Sequence, residues 1–147
     1  MTPAILQVEN LRTWLSGSEG VVRAVDGVSF SVARGETFAL LGESGCGKSM
    51  TALSIARLLP DAGHILSGSV RLDGQELLQL PESAMRDVRG GSIGMIFQEP
   101  GTSLNPVMKV GAQIAEVLLQ HTALRDRAAD DRVLELLDAV GLPDPKS

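Results

Sequence analysis

Residues 40–51 read LLGESGCGKSMT, and within them Gly42, Gly47, Lys48 and Ser49 fall at the offsets of G-x-x-x-x-G-K-[ST]. These residue types at this spacing suit one task, the holding of a nucleotide's phosphates. The glycines permit backbone angles that turn successive N–H groups inward as an anion nest. A helix that starts behind the loop adds the positive end of its dipole. Lys48 is placed to reach the β- and γ-phosphates, and the Ser49 hydroxyl to ligate Mg²⁺. The competing reading is a glycine-rich turn that matches by chance. The apolar run before the loop and the helical spacing after it favour the phosphate. Cys46 has two readings, a thiol sensitised by backbone N–H groups and a helix start, or a small residue that the loop tolerates. His64 and His121 lack metal-ligand spacing and read as surface residues.

The elements that must position this loop follow from patterning. TFALL (37–41) has four apolar residues in five and suits a strand buried on both faces. KSMTALSIARLL (48–59) has helical spacing and meets a stop at Pro60. Upstream, ILQVENL (5–11) alternates in part. Asp26–Gly27 reads as a turn before VSFSVA, where Val28, Phe30 and Val32 share a face. Downstream, Asp73–Gly74 reads as a second turn, and SIGMIF (92–97) as another buried strand. From Asn105 the pattern becomes helical. Val110, Ile114, Val117 and Leu118 share one face, and Val133, Leu136, Leu137 and Val140 another, most simply as packing surfaces. Gly141 suits a helix C′ position and Pro143 a stop. The fold class is α/β.

Bulk properties exclude several classes. At 147 residues the chain suits one domain with a real core. A net charge of −5 gives no nucleic-acid footprint. One cysteine excludes an internal disulfide framework. MTPAILQVEN has neither the basic nor the apolar region of a secretory signal. No apolar run approaches the roughly 18 residues of a spanning helix. The chain reads as soluble and cytoplasmic.

Among phosphate-loop proteins, a GTP-dependent switch is weakened by the lack of an Asn-Lys-x-Asp motif, although DVRG (87–90) matches D-x-x-G. DVRG reads better as a charged helix end before the 92–97 strand. A small-molecule kinase would need an arginine-rich lid, and only LRDRAADDR comes near one. In contrast, VVRAVDGVSFSVARGETFALLGESGCGKSMTALSIARLLP resembles the start of an ATP-binding-cassette (ABC) ATPase, and GMIFQEPGTSLNPV resembles its Q-loop segment. The wording is similar to the ATPase subunits of di- and oligopeptide/nickel importers, from about Leu6 to Leu142.

The resemblance implies a P-loop NTPase core. In it, Gly42, Glu43, Ser44, Gly45, Cys46, Gly47, Lys48, Ser49 and Met50 hold ATP, with Lys48 and Gln98 in catalysis. Ser49 and Gln98 would hold Mg²⁺, and Trp14 would stack on adenine. Residues 99–109 would lie near a permease. Position 101 is Gly where that family more often has an apolar residue. Residues 1–104 would form the antiparallel β portion and the P-loop core through the Q-loop, and 105–147 the start of a helical subdomain. The implied partners are a second ABC ATPase domain, two transmembrane permease subunits and a substrate-binding protein, without nucleic acid. The location is cytoplasmic, peripheral on the inner face of the cell membrane. The alternative is an ATP-binding ABC module with no transport role.

Two further motifs of that family are not found in the sequence. LSGS occurs at 15–18 and 66–69 without the Gly-Gln that completes LSGGQ, and no apolar run ends in Asp-Glu as a Walker B does. The expectation is a portion of an ABC ATPase that stops before LSGGQ and Walker B and is inactive alone. Apolar surface is then expected at 37–41 and 92–97.

Overall fold

The structure is a computed structural model that describes residues 4–18, 20–99 and 103–142. It divides into two units, 1–85 and 86–147. In the first, alternation drives a four-stranded antiparallel sheet in the order β2-β1-β3-β4. Its strands are β1 (Ala4–Gly17), β2 (Gly20–Ala33), β3 (Gly63–Leu72) and β4 (Gln75–Glu76). Val28, Phe30 and Val32 are half-buried while Ser29 and Ser31 are exposed, as their alternation requires. Val8, Leu11, Val25, Val70 and Leu77 are buried. Each such side chain contributes about 1.5–3 kcal/mol of transfer free energy.

The two Asp-Gly pairs have different fates. Asp73 (φ 50°) and Gly74 (φ 83°) are both left-handed and form the tight β3–β4 turn, as expected. Asp26–Gly27 is not a turn. β2 runs through it, and the pairing of Leu11 with Val28 and Arg12 with Asp26 skips Gly27, a bulge with φ 75°. The β1–β2 hairpin closes between Gly17 and Gly20 instead.

The loop-bearing helix α1 spans Lys48–Ala56, shorter than the 48–59 expected. Arg57 ends it in the left-handed region (φ 53°). The Arg57 side chain donates to the carbonyls of Leu77 (3.2 Å) and Leu80 (2.6 Å), which holds that backbone turn in place. Residues 37–41 are a correction: they form no strand. A strand exists only as part of a ladder, and among the described residues no neighbour pairs with this run. Phe38 stacks on Phe30 (centroids 4.8 Å apart, planes within 7°), while Leu41 is 91% exposed.

Helix α2, Glu82–Gly91, leaves helical geometry at Arg89 and Gly90, so DVRG is a helix end as expected. In the second unit, residues 92–97 are also not a strand. A single bridge joins Ile93 to Arg89, and Ile96 is 94% exposed. Helices α3 (Val110–His121) and α4 (Asp126–Ala139) follow. α4 buries Ala129, Val133 and Leu137. α3 has no fully buried residue, so its expected packing face is only partly covered. Ile114 and Leu118 are half-buried, and Val110 and Val117 are exposed. Gly141 (φ 76°) is the C′ residue of α4, its N–H bonded to Asp138 and that of Leu142 to Leu137. Pro143 lies outside the described residues.

Candidate nucleotide-binding site

The glycines of the loop are required by its geometry. Gly45 (φ 83°) and Gly47 (φ 91°) are left-handed. A Cβ on Gly47 would stand 2.1 Å from the Ala24 carbonyl oxygen, and one on Gly42 would stand 2.5 Å from the Cys46 sulfur. The loop therefore sits against β2 at a point where no side chain fits. Gly47 is also the N-cap of α1, and no acidic residue follows in the first turn. The positive end of the helix dipole is uncompensated there. Glu43 is exposed, as are Ser44 and the Cys46 thiol.

Lys48 turns back into the loop. Its ammonium donates to the carbonyls of Gly42 (2.8 Å) and Glu43 (2.6 Å) and to the Cys46 sulfur at 3.4 Å. The cation is thereby held against the loop that precedes α1. Ser49 is exposed in the first turn, and a hard hydroxyl oxygen there suits a magnesium ion shared with phosphate. Met50 follows, and its carbonyl accepts the Ser54 hydroxyl at 2.6 Å.

Two features that seat the loop were not anticipated. Thr13 on β1 and Ser54 on α1 are fully buried, and their hydroxyls lie 2.7 Å apart. Ser54 donates to Met50, so Thr13 donates to Ser54, and the polar chain fixes the helix on the sheet. The only sequence signal was a pair of small hydroxyl residues on otherwise apolar faces. The second is β2 itself. Arg23 pairs with Trp14 across the strands, and the next residue, Ala24, meets Gly47. One short piece of strand thus links Trp14 to the loop.

Trp14 is half-buried, with the Arg23 guanidinium 5.2 Å from its ring centroid. Gln98 is exposed in a bend of the second unit. Gly101 lies outside the described residues. Among the described residues no cluster of His, Cys, Asp and Glu could hold a metal by itself, and no helix is long and apolar enough to cross a membrane.

A sequence model described as ABC transporter matches residues 25–147. The chain belongs to the ABC transporter family. Within it, the dipeptide transport ATP-binding protein DppD of Bacillus subtilis is 46% identical over 142 residues, 96% of this chain and 42% of that protein. The oligopeptide transport ATP-binding protein OppD of the same organism is 46% identical over 143 residues and is covered to 40%. A probable peptide ABC transporter ATP-binding protein, y4tR of Sinorhizobium fredii, is 48% identical and covered to 43%. The chain thus spans about two fifths of the length of these relatives. Its fold is that of ABC cassettes. It resembles the ATP-binding cassette MJ0796, solved as a dimer in a post-hydrolysis state bound to ADP and Pi, with a TM-score of 0.80 at 23% identity. The match covers 95% of this chain and 58% of that one.

Proposed function

We propose that this chain is the nucleotide-binding portion of an ABC importer that couples ATP binding and hydrolysis to the uptake of peptides or related solutes. The observation that carries the reading is the loop. Gly47 is packed against a β2 carbonyl, and the Lys48 ammonium is held by loop carbonyls. In this reading residues 42–50 hold the phosphates of ATP, and Ser49 holds Mg²⁺ with Gln98. Lys48 and Gln98 act in catalysis, and Trp14 takes adenine. The similarity to DppD and OppD, ATP-binding proteins of dipeptide and oligopeptide transport, supports the peptide substrate. The proposed partners are a second ABC ATPase domain, two permease subunits and a substrate-binding protein, with the protein peripheral on the inner face of the membrane. We place the start of a helical subdomain at residue 105.

The test is calorimetry with ATP. Lys48→Ala removes a charge-assisted donor and is expected to weaken binding by about tenfold or more while the far-ultraviolet spectrum is unchanged. Equal affinity of the variant and its parent would overturn the assignment. Phosphate release by residues 1–147 is expected to stay at the Lys48→Ala background.

A further inference from the structure

We propose that Arg23 is a positioning residue for the nucleotide base: its guanidinium covers one face of the Trp14 indole and fixes the ring so that adenine stacks on the other. The proposal rests on the reading that Trp14 takes the base, and extends it to a residue to which that reading gives no role.

The first observation is the contact itself, with the Arg23 Cζ 5.2 Å from the Trp14 ring centroid, within cation–π range. The second concerns what else could orient the ring. The indole Nε1 of Trp14 is buried and has no hydrogen-bond partner among the described residues. Buried indole N–H groups usually find an acceptor, and that bond usually fixes the ring. Here no such bond sets its rotation, which falls to packing and to the Arg23 contact. The third observation is how Arg23 is itself held. Its Nη1 lies 3.8 Å from Asp26 Oδ2, and the other oxygen of Asp26 lies 3.2 Å from Arg12 Nε. One carboxylate between two arginines leaves an excess of positive charge beside the ring. A flat cation on one face draws electron density from the indole, and the opposite face then better accepts an electron-rich purine.

The placement along β2 adds the geometric reason. Arg23 touches the base-stacking ring, and the adjacent Ala24 touches Gly47 of the phosphate loop. Fixing the indole at Arg23 therefore fixes it relative to the phosphates. A ring set before binding loses less rotational freedom when the base arrives. The Arg23 side chain is 65% exposed, so it can be replaced without opening the core.

The experiment measures affinity for ATP and for tripolyphosphate, by calorimetry, in the parent, Arg23→Ala, Arg23→Lys and Trp14→Ala. Arg23→Ala is expected to lower ATP affinity about threefold and leave tripolyphosphate binding unchanged. Arg23→Lys, which keeps the cation, should recover part of the loss. Trp14→Ala should lower ATP affinity about tenfold, again without effect on tripolyphosphate. Parental ATP affinity in Arg23→Ala, with a clear loss in Trp14→Ala, would overturn the role of Arg23 and leave the stacking reading standing. An equal loss for both ligands in Arg23→Ala would also overturn it, because the arginine would then act on the phosphates. No loss in Trp14→Ala would remove the stacking reading and this proposal with it.

Discussion

Glu76 shows how one residue can tie strands together. Its carboxylate accepts hydrogen bonds from the Ser69 hydroxyl and from the N–H groups of Val70 (3.0 Å) and Leu78 (3.2 Å). Burial acts to raise its pKa, but those bonds and the nearby Arg71 charge outweigh it and hold the group below the ordinary 4.5. A folded-state pKa below the unfolded value means that the ionised form favours folding. The contribution is fully present above pH 4.5 and is lost as pH falls through the lowered folded value. Urea unfolding across pH 3–7 should therefore show a loss on the acid side that is smaller in Glu76→Gln, while the variant is less stable than its parent at pH 7. Parallel pH profiles would refute that role. Nothing in LDGQEL marked Glu76 for this work, since two of its partners, Ser69 and Val70, come from the strand that pairs with it. The nucleotide loop is the opposite case. The identities of Gly42, Gly47, Lys48 and Ser49 were legible because phosphate chemistry constrains each type separately. The Ala24 carbonyl against Gly47 was not, because a backbone atom leaves no trace in residue type.

At the scale of elements, legibility depended on whether the cause was local. Asp73–Gly74 and Gly141 were read correctly, since a left-handed turn or helix end needs only its own few residues. Asp26–Gly27 has the same letters and became a bulge, because its role is set by the register of β1 opposite. Residues 37–41 and 92–97 carry the composition of buried strands, but strand formation depends on a neighbour that composition cannot supply. The seat of α1 is likewise non-local. The Thr13–Ser54 hydroxyl pair joins residues 41 positions apart. Ser54→Ala leaves the Thr13 hydroxyl buried without its partner and should cost about 1–3 kcal/mol in urea unfolding. Thr13→Val should cost a similar amount. The double variant should lose less than the sum of the two, a coupling that a double-mutant cycle reads directly. Strict additivity would show that the hydroxyls do not act together.

For the molecule as a whole, large apolar side chains stand exposed along much of the chain. Leu41 is 91% exposed, Ile96 94% and Val107 88%. Exposed apolar surface binds hydrophobic dyes and promotes association. The parent should enhance anilinonaphthalene sulfonate emission and scatter light as concentration rises, and Leu41→Glu with Ile96→Glu should reduce both without altering the far-ultraviolet spectrum. Unchanged dye binding would place the sticky surface elsewhere. A different consequence follows from the seat of Gly47. The atom that a Cβ at this position would strike, 2.1 Å away, is a main-chain oxygen of Ala24, which every residue type at position 24 would also carry. In genetic terms the lesion admits no compensation from its nearest neighbour. Gly47→Ala should abolish ATP binding, and a selection for second-site suppressors should return reversion at 47 and nothing at 24. A suppressor recovered at 24 would show that the strand can retreat from the loop, and that the clash is not what reserves this position for glycine.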